Sequence, residues 1–188
     1  MSTLIVTDIF GKTEHIQHFA DSLPGEVFIL DPYDGKNMGF INEAQAYAYF
    51  NQHIGLQKYT DSLKSYLSIT QDPVYLIGFS VGATAIWNTS FLVHHCSSVV
   101  GASCFYGSKI RLSTHVIPVF PITLIWPKSE DSFSIAALIQ ELSGKHNVQQ
   151  LQSDYLHGFM NKLSDNYNET AAALYCESIQ SILSSSQP

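Results

Sequence analysis

One serine in this chain stands where a nucleophile is needed. Gly78-Phe79-Ser80-Val81-Gly82 matches G-x-S-x-G, a pattern that puts serine on a sharp turn between a strand and a helix. The context fits. The apolar run Val74 to Ile77 leads into it, and Ala83-Thr84-Ala85-Ile86-Trp87 leaves it with helical character. The glycines have a steric reason, because side chains two residues either side of Ser80 would clash in so tight a turn. The start of the helix aims backbone N–H groups at the same spot. The competing reading is a phosphate-binding glycine turn, but no Lys follows and the loop is uncharged.

A hydroxyl is a poor nucleophile until a base takes its proton. The pattern predicts an acid and then a histidine, each just after a strand. Ile122–Trp126 ends in Pro127-Lys128-Ser129-Glu130-Asp131, and Val148–Leu151 is followed by Ser153-Asp154-Tyr155-Leu156-His157. His157 alone among the eight histidines follows the last strand, which makes it the base by position. His94 and His95 end a helix and suit its dipole. His15 and His18 sit three apart on the first helix, where a solvated face outweighs a metal pair lacking a third ligand. Among the acids Asp131, Glu130 and Asp154 compete. Asp131 stands further into its loop, just before Phe133, where the next helix is expected to begin. It or Ser132 could equally cap that helix.

These residues need a scaffold, and the rest of the chain supplies one. Short apolar runs at Leu4–Val6, Val27–Leu30, Val74–Ile77, Val99–Phe105, Ile122–Trp126 and Val148–Leu151 read as strands. Helical spacing separates them: Ile16 to Leu23, about 42–53 and 57–69 broken near Gly55, Val81 to Val93, Phe133 to Leu142, and about 165–183. Continuous apolar strands alternating with helices predict an α/β fold with a mostly parallel sheet covered on both faces. Residues 1–183 form a single domain, and 184–188 read as a polar tail.

Composition narrows the function. The chain has 188 residues, 45% hydrophobic and only 13% charged, with 11 Phe and 10 Tyr available for a core. Nine cations against sixteen acids, with Arg111 the one arginine, argue against nucleic acid, which needs a dense cationic array. No stretch reaches the roughly 18 apolar residues of a membrane span. Three scattered cysteines, Cys96, Cys104 and Cys176, and no signal-peptide pattern point to a reducing, cytoplasmic compartment. No cofactor is expected, and a monomer or homodimer is.

Four stretches, in order, resemble the dienelactone hydrolases of the α/β-hydrolase superfamily: Asp8-Ile9-Phe10-Gly11, the Ser80 pentapeptide, Phe105-Tyr106-Gly107 with Trp126 to Asp131, and His157-Gly158-Phe159 leading to Ala171-Ala172-Ala173. The best-known members carry Cys where this chain has Ser80. The resemblance implies about six strands without the usual leading β-hairpin. It implies Ser80 as nucleophile, Asp131 as orienting acid and His157 as base, with Val81 and Ile9 N–H groups as the oxyanion hole. Asp8 takes the place of an acid that contacts the resting nucleophile. A loop-capping role suits Asp8 equally. Phe10, Tyr33, Tyr106 and Phe159 are candidate walls of the substrate pocket, and equally candidates for the core.

Ser in place of Cys requires His157 to act as base during attack, since a thiol ionises near neutrality and a hydroxyl does not. The family's carboxylate-binding arginines are absent. Asn161 stands at one place and Glu43 near the other, and Lys162 is a weaker substitute for the clamp. The expected activity is therefore hydrolysis of a small neutral ester, thioester or lactone rather than dienelactone. The alternatives are a catalytically silent ligand- or partner-binding protein of the same fold, and acyl transfer or peptide cleavage by the same residues.

Overall fold

The structure is a computed structural model that describes residues 1–185; part of the expected polar tail, 186–188, lies outside the described residues. Six strands form one sheet: β1 (Ser2–Val6), β2 (Val27–Leu30), β3 (Val74–Phe79), β4 (Val99–Phe105), β5 (Ile122–Trp126) and β6 (Val148–Gln152). Their order across the sheet is β2-β1-β3-β4-β5-β6, and every pairing is parallel. The helices are α1 (Glu14–Ser22), α2 (Glu43–His53), α3 (Gly55–Ile69), α4 (Val81–Thr89), α5 (Ile135–Leu142) and α6 (Glu169–Ser185).

Strand side chains alternate between two cores because successive Cβ atoms point to opposite faces. Leu4, Val6, Leu76, Cys104, Leu124 and Trp126 face one side, where Phe50, Leu63, Trp87 and Leu138 of α2 to α5 cover them. Ile5, Ile77, Phe79, Phe105 and Ile125 face the other, against Phe19 and Ala20 of α1 and Ile179 and Leu183 of α6. Strand β3 is buried at all six positions, whereas the edge strand β6 is largely exposed. That difference explains why β3 is a pure apolar run while β6 carries three glutamines.

Local chemistry sets the helix starts. The side chains of Thr13 and Asn42 accept the N–H groups of Ile16 and Gln45 to cap α1 and α2. Ser134 caps α5 by accepting from Ala137 N–H. That helix therefore begins after Phe133, and neither Asp131 nor Ser132 is its cap. Asn168 accepts from Ala171 N–H at the start of α6, which begins four residues later than the periodicity predicts. Helix α4 stops at Thr89 rather than Val93, where the chain turns.

The chain winds outward from β1 to β2, returns through α2 and α3 to β3, and continues away from β1. Strand order thus reverses between β1 and β3, and the crevice at their carboxyl ends is where open parallel sheets bind ligands. The loop holding Ile9 and the turn holding Ser80 are the two segments that leave those ends. No helix among the described residues is long and apolar enough to cross a membrane.

Candidate active site

Ser80 has φ 51° and ψ −110°, a conformation sparsely populated by residues with a side chain. The surroundings hold it there. Its N–H donates to Phe105 O at the end of β4 (2.9 Å), and its carbonyl accepts Thr84 N–H in the first turn of α4 (3.1 Å). The two flanking glycines are needed for contact, not for flexibility. A Cβ on Gly78 would lie 2.7 Å from Ala83 Cα, and one on Gly82 would overlap the carbonyl oxygens of Val6 and Thr7. Helix α4 therefore sits directly on the end of β1.

Ser80 Oγ lies 3.0 Å from His157 Nε2, and His157 Nδ1 lies 2.7 Å from Glu130 Oε1. With Nδ1–H donating to the carboxylate, Nε2 is left as the acceptor for the serine hydroxyl. His157 is carried by the loop after β6. That loop is tied to the acid loop by Lys128 N–H donating to Tyr155 O (2.7 Å). The ring of His157 rests against Tyr106, 4.9 Å between centroids.

The carboxylate at His157 is Glu130, which corrects the expectation for Asp131. Glu130 and Phe133 form an isolated antiparallel bridge that folds the loop back on itself. This turns the Glu130 side chain inward, 16% exposed, and leaves Asp131 on the surface. Burial alone would raise the Glu130 carboxyl. The hydrogen bond and charge of His157, the Ser108 hydroxyl and the Arg111 charge outweigh it and hold the group below its ordinary value of 4.5. A carboxyl depressed by folding stabilises the protein above its unfolded value and ceases to as pH falls through the folded one. The Tm advantage of wild type over Glu130→Gln should thus shrink on acidification below pH 4.5, measurable by thermal melts across pH. A gap that widens toward acid would contradict this sign.

Ser108 is a site residue that sequence reasoning missed. It opens a short 3-10 turn, Ser108–Leu112, after β4. Its hydroxyl donates to Glu130 Oε1, and its Oγ also lies 3.0 Å from His157 Nδ1. Its only sequence signal is its place right after Phe105-Tyr106-Gly107. The same turn brings Lys109 and Arg111 to the cleft. Arg111 donates to Ser108 O (2.6 Å) and stacks over Phe133 at 4.7 Å, and Lys109 lies over the Tyr47 ring at 5.3 Å.

Ile9 lines the same cleft as Ser80, and the peptides on either side of it are fixed by hydrogen bonds. The Asp8 carbonyl accepts Gly11 N–H (3.2 Å) and the Thr7 hydroxyl (3.3 Å). A trans peptide sets its N–H opposite its C=O, so the Ile9 N–H is turned away from Gly11 and the Thr7 hydroxyl. The next peptide is held at both ends: Tyr33 Oη donates to Ile9 O (2.7 Å), and Asp8 Oδ1 accepts Phe10 N–H (2.9 Å). Among the described residues neither Ile9 N–H nor Val81 N–H has a protein acceptor.

Ile9, Ser80, Val81, Ser108, Glu130 and His157 line one cleft of ≈ 260 Å³, walled by Glu43, Tyr47, Thr84, Lys109, Arg111 and Ser132. The aromatic residues expected as walls lie elsewhere. Tyr33 and Phe159 are 5% and 0% exposed and pack inside, so they correct to loop anchor and core. Phe10 and Tyr106 are also buried and, beside Ser80, reach a narrow space shared with Asp8 rather than the open cleft. Asp8 makes no hydrogen bond to Ser80 and instead binds Phe10 N–H and Asn161. Burial raises its carboxyl above the ordinary value, against the hydrogen bonds of Asn161 and Phe10. Lys162 lines a separate groove with His15 and His18, away from Ser80. His15 Nε2 donates to Met160 O (2.8 Å).

No family model matches the chain. The Bacillus subtilis (strain 168) protein YczH, described as uncharacterized, is 30% identical over 177 residues, covering 88% of this chain and 83% of YczH. Among solved structures, mouse alpha/beta hydrolase domain-containing protein 10 superposes with a TM-score of 0.65 at 9% identity, covering 99% of this chain and 90% of that one. Est1E from Butyrivibrio proteoclasticus, with ferulic acid bound, superposes with a TM-score of 0.62 at 12% identity, covering 98% and 88%. The six-stranded parallel sheet with helices on both faces is thus the α/β-hydrolase fold, and the chain belongs to the family of YczH.

Proposed function

We propose that the protein is a serine hydrolase of the dienelactone hydrolase-like type, cleaving a small ester, thioester or lactone through an acyl-enzyme on Ser80. The observation that carries this reading is the continuous path Ser80 Oγ–His157 Nε2 (3.0 Å) and His157 Nδ1–Glu130 Oε1 (2.7 Å) on a strained strand-to-helix turn. Solved structures of this fold include esterase PE8 and the Pyrococcus furiosus esterase Pf2001, which is consistent with it.

His157 Nε2 takes the Ser80 proton as Oγ attacks the substrate carbonyl carbon. Negative charge gathers on the carbonyl oxygen, and the N–H groups of Val81 and Ile9 stabilise it, a contribution of about 10²–10³ in rate per donor in other hydrolases. His157 returns the proton to the leaving alcohol or thiol. Water then enters, His157 takes its proton as the water oxygen attacks the acyl carbon, and the proton passes to Ser80 Oγ as the bond to the acyl group breaks and the acid departs. Glu130 keeps the imidazole in the tautomer this cycle needs and offsets the imidazolium charge. Against its burial, His157 first and then Ser108 and Arg111 hold the Glu130 carboxyl below its ordinary value.

The cleft, not the sequence neighbours of the base, decides the charge of the substrate. Lys109 and Arg111 stand on its walls, but so do Glu43 and Glu130. The four balance, which favours a neutral substrate. The three unpaired cysteines suit a reducing compartment, the cytoplasm.

The test is chemical. A fluorophosphonate should add once to the wild type and not at all to Ser80→Ala, read by intact mass. No adduct on the wild type, or equal labelling of the alanine variant, would leave a silent ligand-binding protein as the better reading.

A further inference from the structure

The oxyanion donor and the base come from opposite ends of the chain, and one pair of buried side chains joins their loops. Asn161 Nδ2 donates to Asp8 Oδ2 at 2.6 Å. Each residue is 8% exposed. The remaining hydrogen-bonding atoms of the pair are also engaged. Asp8 Oδ1 accepts Phe10 N–H (2.9 Å), and Asn161 Oδ1 accepts Leu163 N–H (2.9 Å). Asn161 N–H donates to Gly158 O (2.8 Å), next to His157. The amide can face only one way. Turned over, it would oppose Nδ2 to Leu163 N–H and Oδ1 to the Asp8 carboxylate.

The carboxylate is held without a cation: among the described residues no basic group lies within 4.0 Å of it. Burying an unpaired carboxylate is costly unless hydrogen bonds offset it. Fold stability alone would be served as well by two apolar side chains. What an apolar pair would not supply is direction, the setting of one peptide plane against another loop.

We propose that Asp8 and Asn161 form a strap that positions the Ile9 N–H relative to His157 and so governs kcat. Both are positioning residues. Neither lines the open cleft, and the narrow space they share with Ser80 holds ≈ 10 Å³, about the size of a single water probe and no room for substrate. The proposal rests on the serine hydrolase reading.

An exchange of partners tests it. Asp8→Asn opposes two amide donors, and Asn161→Asp opposes two carboxylates. In the double variant Asp8→Asn/Asn161→Asp every hydrogen bond returns, with donor and acceptor exchanged only in the bond between the two side chains. The amide at 8 accepts from Phe10 N–H and donates to the carboxylate at 161, whose second oxygen accepts from Leu163 N–H. Each single variant should lower kcat on p-nitrophenyl acetate about 10- to 100-fold, part of the worth of one oxyanion donor, with KM within about threefold. Fluorophosphonate labelling of Ser80 should slow in parallel, and the double variant should return to within about threefold of wild type. If Asp8→Asn does not fold, Asn161→Ala carries the same expectation. Folded single variants with wild-type kcat, or a double variant no better than the singles, would overturn the strap alone. A wild type that takes up no fluorophosphonate would overturn the hydrolase reading and the strap together.

Discussion

Glu130→Gln is expected to slow acylation of Ser80 about 10³-fold, while Asp131→Asn changes it by less than about twofold. The two carboxylates are neighbours in sequence and differ in direction. Only Glu130 reaches His157 Nδ1, at 2.7 Å, and only Glu130 receives the Ser108 hydroxyl. Glutamine fits the same space but carries no charge. It can also present its NH₂ to Nδ1, which would favour the tautomer with the proton on Nε2, where it cannot accept from serine. The loss should fall on kcat, since Glu130 holds the base and acts on the transition state. The measurement is kcat on a p-nitrophenyl ester, alongside the second-order rate of fluorophosphonate labelling. A large loss in Asp131→Asn with little in Glu130→Gln would return the acid to Asp131.

The second large effect is on stability. Alanine ordinarily improves a helix interior by about 1 kcal/mol over glycine. At Gly82 the sign should reverse. The added methyl would meet the carbonyl oxygens of Val6 and Thr7, and backbone at the end of a central strand cannot rotate away as a side chain can. Relief requires moving α4 off β1, which breaks the packing of Val81, Ala85 and Ile86, all buried. A cost of about 3 kcal/mol is expected, at the upper end for overpacking. For a domain of this size that lowers Tm by about 6–12 °C. Differential scanning calorimetry of Gly82→Ala measures it. An unchanged or raised Tm would mean that α4 does not rest on β1.

Most of the fold was legible because the strands are short apolar runs bounded by polar loops. Val27–Leu30, Val99–Phe105 and Ile122–Trp126 match the observed strands residue for residue. Ser80 and His157 were legible for a similar reason: Ser80 directly follows β3 and His157 stands in the loop after β6, so chain order alone brings both to the carboxyl edge. The acid was harder. Which of two adjacent carboxylates points inward depends on the bridge between Glu130 and Phe133, a contact with no periodic signature. Ser108 and Lys109 escaped notice because a 3-10 turn of five residues leaves no repeat to detect. Arg111 stands at neither place of the family's arginines, yet the turn carries it to the cleft of Ser80. The pocket walls were misjudged at Tyr33 and Phe159 because an aromatic side chain near a site reads the same in sequence whether it anchors a loop, fills a core or faces a ligand.

The contact of Gly82 with the end of β1 divides the site mechanically. Ser80 and Ile9 follow the neighbouring strands β3 and β1, both inside the sheet. His157 hangs from β6, at the rim of the sheet, where the strand is half open to water. In the proposed chemistry the two groups have different needs. An oxyanion is stabilised best by donors that do not shift when charge arrives, whereas the imidazole must serve two oxygens in turn, first the leaving group and then water. The architecture seats the donors for the first task between packed strands and carries the group for the second on a separate loop at the sheet's edge.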